Sequence, residues 1–132
     1  ALAHLRREEY RQAWGCLLRA LAGYEGVEGS GLQRARCHHA LGSVFLEIGR
    51  QQGAVSEFSE CLAVLAGVED CELDRANALL FLAVALGKTG SVAEAARALW
   101  EASASFQTLG QQRGVAICEA QLVLIGRGTP GA

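Results

Sequence analysis

Residues 37–39, Cys-His-His, form the most reactive-looking cluster in the sequence. Thiolate and imidazole groups are common zinc ligands, and the same two groups form nucleophile–base pairs in hydrolases. A zinc site, however, needs three or four ligands on one side, and consecutive residues of a helix point about 100° apart. The triplet therefore cannot chelate one ion by itself, and no acid, amide or oxyanion-forming loop accompanies it. We expect these residues to have structural roles or to lie on the surface, with no metal and no cofactor.

Two groups of carboxylates could act as acid–base pairs or bind Ca²⁺. They are Glu57 with Glu60, and Glu69 with Asp70, Glu72 and Asp74. The second group lacks the central Gly and the alternating oxygen ligands of a calcium loop. Acidic residues at a helix start ordinarily compensate the helix dipole. The sequence therefore predicts a protein that is not an enzyme.

The Gly-rich segment 23–31, GYEGVEGSG, is the remaining candidate for chemistry, as a phosphate-binding loop. It lacks the Lys-Ser/Thr ending of such loops and follows a helix instead of a strand. Glu25 and Glu28 would also repel a phosphate group. We interpret this segment as a connection between helices.

Composition excludes several function classes. The chain has 132 residues, of which 51% are hydrophobic and 20% charged, a composition that argues against intrinsic disorder. With 12 basic and 14 acidic residues, it favours neither nucleic acid nor an anionic membrane as a partner. The longest apolar run, residues 76–87, is too short to span a bilayer. The chain starts at Ala and contains no Met, which favours a segment of a longer protein.

The five cysteines are scattered, with no Cys-x-x-Cys pair. This pattern favours reduced, mostly buried thiols over a disulfide framework. We therefore expect a cytoplasmic protein, with the nucleus as the open alternative.

Apolar periodicity of three and four residues predicts an all-α fold of about six helices. Asp70 and Ser91 are the predicted N-caps of the fourth and fifth helices, and Glu94 would complete a capping box with Ser91. Several Gly residues, including Gly49 and Gly90, stand where the periodicity stops, as helix C-termini favour. The other predicted helices are 2–22, 32–48, 54–66 and 112–125.

The sequence is internally repetitive, with a period of 41 residues. Three helices share a pattern of a small residue, a large residue four positions later and a small residue three positions after that. The aligned triplets are Ala13, Ala54 and Ala95; Leu17, Phe58 and Leu99; and Ala20, Cys61 and Ala102. A shift of 40 continues the series from Ala76 to Ala116 and from Leu82 to Leu122. The pattern indicates an array of helical repeats.

The first full unit contains Leu41-Gly42-Ser43-Val44-Phe45, followed by Gly49 and by Ala54-Val55-Ser56-Glu57-Phe58. This segment resembles the two helix motifs of the tetratricopeptide repeat family. His38 and Leu79 stand where the family usually has Trp, and the closing Pro is missing from both full units. The period exceeds the common 34 residues, as in the long-helix variants with units of roughly 40.

This resemblance implies antiparallel helix pairs stacked into a right-handed superhelix with a concave surface. Residues 1–24 would be the second helix of a truncated unit, and 32–67 and 70–108 two full units. Residues 111–126 would be the first helix of a further unit or a cap, and 127–132 a tail.

In this family the first helix of each pair lines the concave groove, so the resemblance also implies a set of binding residues. By position these are Arg36, His39, Ser43, Glu47, Asn77, Leu80, Val84, Lys88, Gln121 and Leu124, and the wall would continue to Arg127. The apolar pair Leu80 and Val84 suits an amphipathic peptide or helix. The alternative for each residue is that it packs against a neighbouring helix.

The predicted function is a scaffold or adaptor module that binds a partner peptide or helix in the groove. The alternative is a structural or self-associating segment of a larger repeat protein, such as the regulatory arm of a multidomain signalling protein. The N-terminal helix would favour this alternative, because its apolar side lacks a partner helix and could pack on another copy.

Overall fold

The computed structural model describes residues 2–128, and the side chains of residues 6–126. The side chain of Arg127 and residues 129–132 of the predicted tail lie outside the described part, whereas residues 127 and 128 still belong to the last helix. The chain divides into two compact units, Ala1–Val68 and Glu69–Ala132.

The prediction of six helices is confirmed, and residues 2–128 contain no strand. Unit 1 contains α1 (Leu2–Tyr24), α2 (Gly31–Glu47) and α3 (Gln51–Leu65); unit 2 contains α4 (Glu72–Lys88), α5 (Val92–Thr108) and α6 (Gln112–Gly128). None of these helices is both long and apolar enough to cross a membrane.

Glycines end three of the helices, as the loss of periodicity predicts. Gly49, Gly90 and Gly110 follow α2, α4 and α5 and adopt the positive φ angles 79°, 88° and 72°. In each case the next amide donates to a carbonyl five residues earlier, which is the Schellman arrangement. These bonds are Arg50 N to Phe45 O (2.8 Å), Ser91 N to Leu86 O (2.9 Å) and Gln111 N to Phe106 O (2.8 Å).

One predicted helix start and one predicted capping box differ from the structure. Asp70 is not the N-cap of α4: it adopts a φ of 55°, which Asp tolerates, and Cys71 takes the cap position. Ser91 does occupy the N-cap of α5, but its hydroxyl makes no capping bond and lies 3.3 Å from Thr89 Oγ1. The reciprocal bond of a capping box is also unavailable, because the Ser91 amide already donates to Leu86.

The Gly-rich segment is a compact connection between α1 and α2. α1 continues to Tyr24, and the left-handed Gly26 and Gly29 allow two tight turns before α2 begins. The buried Ser30 hydroxyl lies 2.6 Å from the Val27 carbonyl and 3.0 Å from the Tyr24 carbonyl. This side chain therefore ties the connection to the end of α1.

The core of unit 1 lies between the antiparallel helices α2 and α3. Phe58 of α3 is fully buried against Gly42, where an added Cβ would approach the ring to 2.8 Å. Gly53 meets Phe45 in the same way at 3.0 Å. α1 packs on α2 through Trp14, whose ring contacts Phe45 edge-on at 5.5 Å between centroids.

In unit 2, α5 packs against both α4 and α6. Leu99 of α5 and Cys118 of α6 are fully buried. A Cβ on Gly114 would lie 2.5 Å from the Phe106 ring, so α6 approaches α5 closely at this point. α6 also contacts α4 near the C-terminal ends of both helices, where Ile125 lies beside Gly87.

Candidate functional site

A cleft of about 340 Å³ between α4 and α6 brings together four of the predicted groove residues. These are Val84 and Lys88 of α4 and Gln121 and Leu124 of α6, and the remaining lining residues are Ala83, Gly87 and Ile125. In the predicted repeat units α4 and α6 would both be first helices, so their neighbouring faces are the ones predicted to line a groove. Gly87 has no side chain, and this keeps the cleft open beside Ile125.

The chemistry of this cleft is mostly apolar. Leu124 exposes 58% of its surface, whereas Val84 is half-buried at the opposite wall. Lys88 is the single charged residue among those lining the cleft, and Gln121 provides an amide beside it. An apolar cleft with one cation and one amide can hold an apolar side chain and orient a polar neighbour.

Two further groove predictions in unit 2 lie outside this cleft. Leu80 is only 6% exposed and therefore offers almost no accessible surface to a partner. Asn77 is half-buried and does not line the cleft. The accessible apolar side chain comes from Leu124 instead of Leu80.

The groove residues predicted in unit 1 line neither of two clefts found within this unit, one between α1 and α2 and one beside the start of α2. The ring of His39 contacts Phe58 edge-on at 5.2 Å between centroids, and the Ser43 hydroxyl donates to the His39 carbonyl at 3.2 Å. Glu47 accepts a hydrogen bond from Tyr10 Oη at 3.2 Å. These three side chains therefore already serve contacts within the unit, and Arg36 is exposed.

The Cys-His-His triplet is divided among separate contacts. His38 Nδ1 lies 2.8 Å from Glu57 Oε2 on α3, and His39 contacts Phe58. Cys37 is buried, and burial raises the pKa of its thiol. Within the described residues, no group of three or more His, Cys, Asp or Glu side chains comes close enough to hold a metal ion.

The positions of unit 2 that are equivalent to His38 and Glu57 hold buried apolar residues. A shift of 41 residues takes His38 to Leu79 and Glu57 to Ala98, and both are buried. We expect His38→Leu and Glu57→Ala each to lower the free energy of unfolding by about 1–2 kcal/mol, since each leaves a half-buried polar partner unpaired. The double variant should lose less than the sum of the two, because it recreates the apolar pair.

Urea unfolding of the four proteins, followed by circular dichroism, measures this coupling. Ser59→Ala, an exposed change on α3, is the control and should leave stability nearly unchanged. Strictly additive losses would show that His38 and Glu57 act independently.

No family model matches this sequence, and no curated protein matches it. The assignment of function therefore depends on the repeat pattern and on the packing of the helices.

A second cleft, of about 420 Å³, lies between α1 and α2 and was missed by sequence reasoning. Its lining residues are Arg7, Tyr10, Arg11, Trp14, Val44, Ile48 and Arg50. Partial burial, followed by the hydrogen bond to Glu47 and the charge of that carboxylate, raises the pKa of the Tyr10 hydroxyl. The spacing of Arg7, Arg11 and Trp14 on one side of α1 was the available signal, but the lining residues of α2 and of the turn after it are distant in sequence.

Proposed function

We propose that this chain is a protein-binding module built from tetratricopeptide-like helix pairs, which binds a peptide or amphipathic helix of a partner protein. The observation that carries the proposal is the convergence of Val84, Lys88, Gln121 and Leu124 on one cleft. The resemblance to the tetratricopeptide family assigns these residues to the groove, and two of them come from each of two helices that are 40 residues apart in the repeat. The function requires no catalytic group.

The proposed architecture supports a groove in this place. In a right-handed superhelix of helix pairs, successive first helices lie side by side and form the inner wall. α4 and α6 are successive first helices and contact each other directly within unit 2. Their cleft would then be one segment of a longer binding surface.

The lining residues indicate what such a partner would present. An amphipathic helix placing one apolar side chain between Val84 and Leu124 would bury the exposed surface of Leu124. An acidic residue one turn away would pair with Lys88 at the end of α4. The apolar anchor supplies most of the affinity, because an exposed ion pair contributes little.

Leu124→Glu should weaken partner binding about tenfold or more, because a charge would be buried with the apolar anchor. Val123→Glu is the matched control: Val123 is 52% exposed and adjacent on α6, but it does not line the cleft. Peptides selected from a random helical library against the wild-type chain serve as ligands, and fluorescence anisotropy measures their affinity for each variant. Ligands that bind both variants equally well would place the binding surface elsewhere.

A second candidate function, self-association through α6, is favoured by the outer face of this helix. Ala116, Ala120 and Val123 are exposed on α6, whereas the positions 40 residues earlier are buried in α4. Those earlier positions are Ala76, Leu80 and Ala83. α6 therefore exposes small and apolar residues at positions whose equivalents are buried in α4.

Val123→Glu separates the two candidates. It should convert a self-associating chain to a smaller species without changing peptide affinity, as measured by light scattering over a concentration series. If the wild-type chain has the mass of a monomer at every concentration, self-association through this face is excluded.

A further inference from the structure

The cleft between α1 and α2 concentrates positive charge in a unit that is otherwise balanced. Residues 1–68 contain seven Arg and seven Glu, yet Arg7, Arg11 and Arg50 line this one cleft and no carboxylate does. All three side chains are exposed. Within the described residues, no ion pair or hydrogen bond engages their guanidinium groups. Arg7 and Arg11 lie one turn apart on α1, so they repel each other until an anion is bound.

The same cleft has a fixed apolar surface. Trp14 is 37% exposed, and its edge-on contact with Phe45 holds the indole against α2. Ile48, equally exposed, and Val44 continue this surface at the end of α2. Tyr10 is held by its hydrogen bond to Glu47. An apolar side chain entering the cleft would therefore meet surfaces that are already positioned, which reduces the entropy lost on binding.

The repeat does not need these residues. The positions that pack the helix pairs keep small or apolar residues from one repeat to the next, as Ala13, Ala54 and Ala95 do. The residues that line the cleft differ in charge or size from the residues 41 positions later. Arg7 becomes Ile48, Arg11 becomes Gln52, Trp14 becomes Val55 and Arg50 becomes Ser91. Helix packing alone therefore does not account for three arginines and an indole at this place.

We propose that this cleft binds an acidic segment of a partner protein, carrying two or more carboxylates beside one bulky apolar side chain. The planar guanidinium groups of Arg7, Arg11 and Arg50 match carboxylates in a forked geometry. The apolar side chain packs on Trp14 and Ile48. The site consists of unit 1 residues only, so it does not depend on the α4–α6 cleft proposed above.

A short acidic peptide fits this cleft better than a nucleic acid does. Glu8 and Glu9 are exposed on α1 beside the arginines, and Glu47 lies at the Tyr10 side. These carboxylates would repel a polyanion that runs past the cleft, whereas a peptide can place neutral residues opposite them.

Fluorescence anisotropy with defined probes tests the proposal. The probes are fluorescein-labelled peptides with repeated Glu-Glu-Leu, Gln-Gln-Leu and Glu-Glu-Gly sequences, and a labelled single-stranded oligonucleotide of similar length. We expect the Glu-Glu-Leu peptide to bind most tightly and its affinity to fall with added salt. In a Trp100→Phe background, binding should also change the fluorescence of Trp14, the one remaining tryptophan.

Two matched variants locate the site. Arg11→Glu should weaken binding of the Glu-Glu-Leu peptide about tenfold or more, because it both removes a cation and adds a repelling charge. Arg19→Glu makes the same charge change on an exposed residue of α1 outside the cleft, and should alter affinity by about twofold at most. Circular dichroism establishes that both variants remain helical.

Several outcomes would overturn the proposal. Equal losses from Arg11→Glu and Arg19→Glu would indicate attraction by overall charge. Tight binding of the Gln-Gln-Leu peptide would show that carboxylates are not recognised, and equal binding of the Glu-Glu-Gly peptide would remove the apolar anchor. Tighter binding of the oligonucleotide, or no binding of any probe, would also reject an acidic peptide as the ligand.

Discussion

Replacing Gly42 by Ala is expected to lower the free energy of unfolding by about 1–3 kcal/mol, although Ala is ordinarily the better helix former. The added Cβ would lie 2.8 Å from two carbon atoms of the Phe58 ring. Phe58 is fully buried, so the ring cannot move aside into solvent. The helices α2 and α3 must then separate slightly, and the surrounding contacts are lost with them.

The stability lost through Gly42→Ala should be smaller when Phe58 is also replaced by Leu. A shift of 41 residues takes Gly42 to Ala83 and Phe58 to Leu99, and both of those residues are buried. The double variant therefore reproduces in unit 1 the pair of side chains that unit 2 already uses. We expect Phe58→Leu alone to cost about 1–2 kcal/mol through the cavity it leaves. The double variant should be more stable than the sum of the single effects predicts, by about 1 kcal/mol.

Urea unfolding followed by far-ultraviolet circular dichroism measures the four free energies. Gly23→Ala is the control, because a Cβ there meets no atom within 4 Å and the residue lies inside α1. It should leave stability unchanged or raise it by about 0.5–1 kcal/mol. Additive losses at Gly42 and Phe58 would mean that the two residues do not share one packing constraint.

The same register explains why the helical fold could be predicted from the sequence. Small and large residues at a fixed spacing mark the side of each helix that a neighbouring helix approaches closely. The period of the repeat gives the position of the same pattern in the next unit. Ala54, Phe58 and Cys61 of α3 are all buried, as their register predicts. The equivalent Ala20 of α1 is exposed, because the pattern describes a surface suited to packing and not whether a partner helix covers it.

Helix starts were less predictable, because several hydrogen-bond arrangements compete for the same groups. Ser91 followed by Glu94 has the composition of a capping box, but the turn at Gly90 already uses the Ser91 amide. Asp70 has the composition of an N-cap, but the turn between the units places it one residue too early, in the left-handed region. A capping preference that depends on residue type does not take account of the turn that precedes the helix.

Site residues were predictable to the level of a helix face, but not further. Leu80 and Val84 are one turn apart on α4, and only Val84 lines the cleft. α6 meets α4 near Gly87. Which side chains of this α4 face are covered therefore depends on where the two helices cross, and helix periodicity does not give that crossing point. The arginine cleft was missed for a related reason: Arg50, in the turn after α2, joins Arg7 and Arg11 only after α1 and α2 have packed.

When the five thiols are alkylated, we expect one of them to react fast and the other four to react slowly. Cys16 is exposed on α1, whereas Cys37, Cys61, Cys71 and Cys118 are buried. A thiol reacts as the thiolate and only where the reagent reaches it, so a buried thiol must wait for local or global unfolding. An opening free energy of about 3 kcal/mol already slows the reaction roughly a hundredfold. Iodoacetamide labelling, quenched at intervals and read by peptide mass spectrometry, gives the rate at each cysteine.

Cys16→Ser is the matched variant for this experiment. It should remove the fast site and leave the four slow rates unchanged, because Cys16 is not part of the core. In concentrated urea all five thiols should react at similar rates, since the protection comes from folding. If Cys37 reacted as fast as Cys16 in the native chain, its side of α2 would not be buried.

The pH dependence of the alkylation rates provides a second, independent test of this protection by burial. Burial raises the pKa of Cys37 and, together with the charge of Glu119, that of Cys118 above the value in the unfolded chain. The unfolded thiol therefore releases its proton at a lower pH than the folded one. The stability that this provides is fully present below about pH 8.5 and is lost as the pH rises through the raised pKa of the folded thiol. Above about pH 8.5 the rates at Cys37 and Cys118 should rise more steeply than the rate at Cys16, because both the open population and its thiolate fraction increase. Parallel pH profiles at the three sites would contradict this coupling.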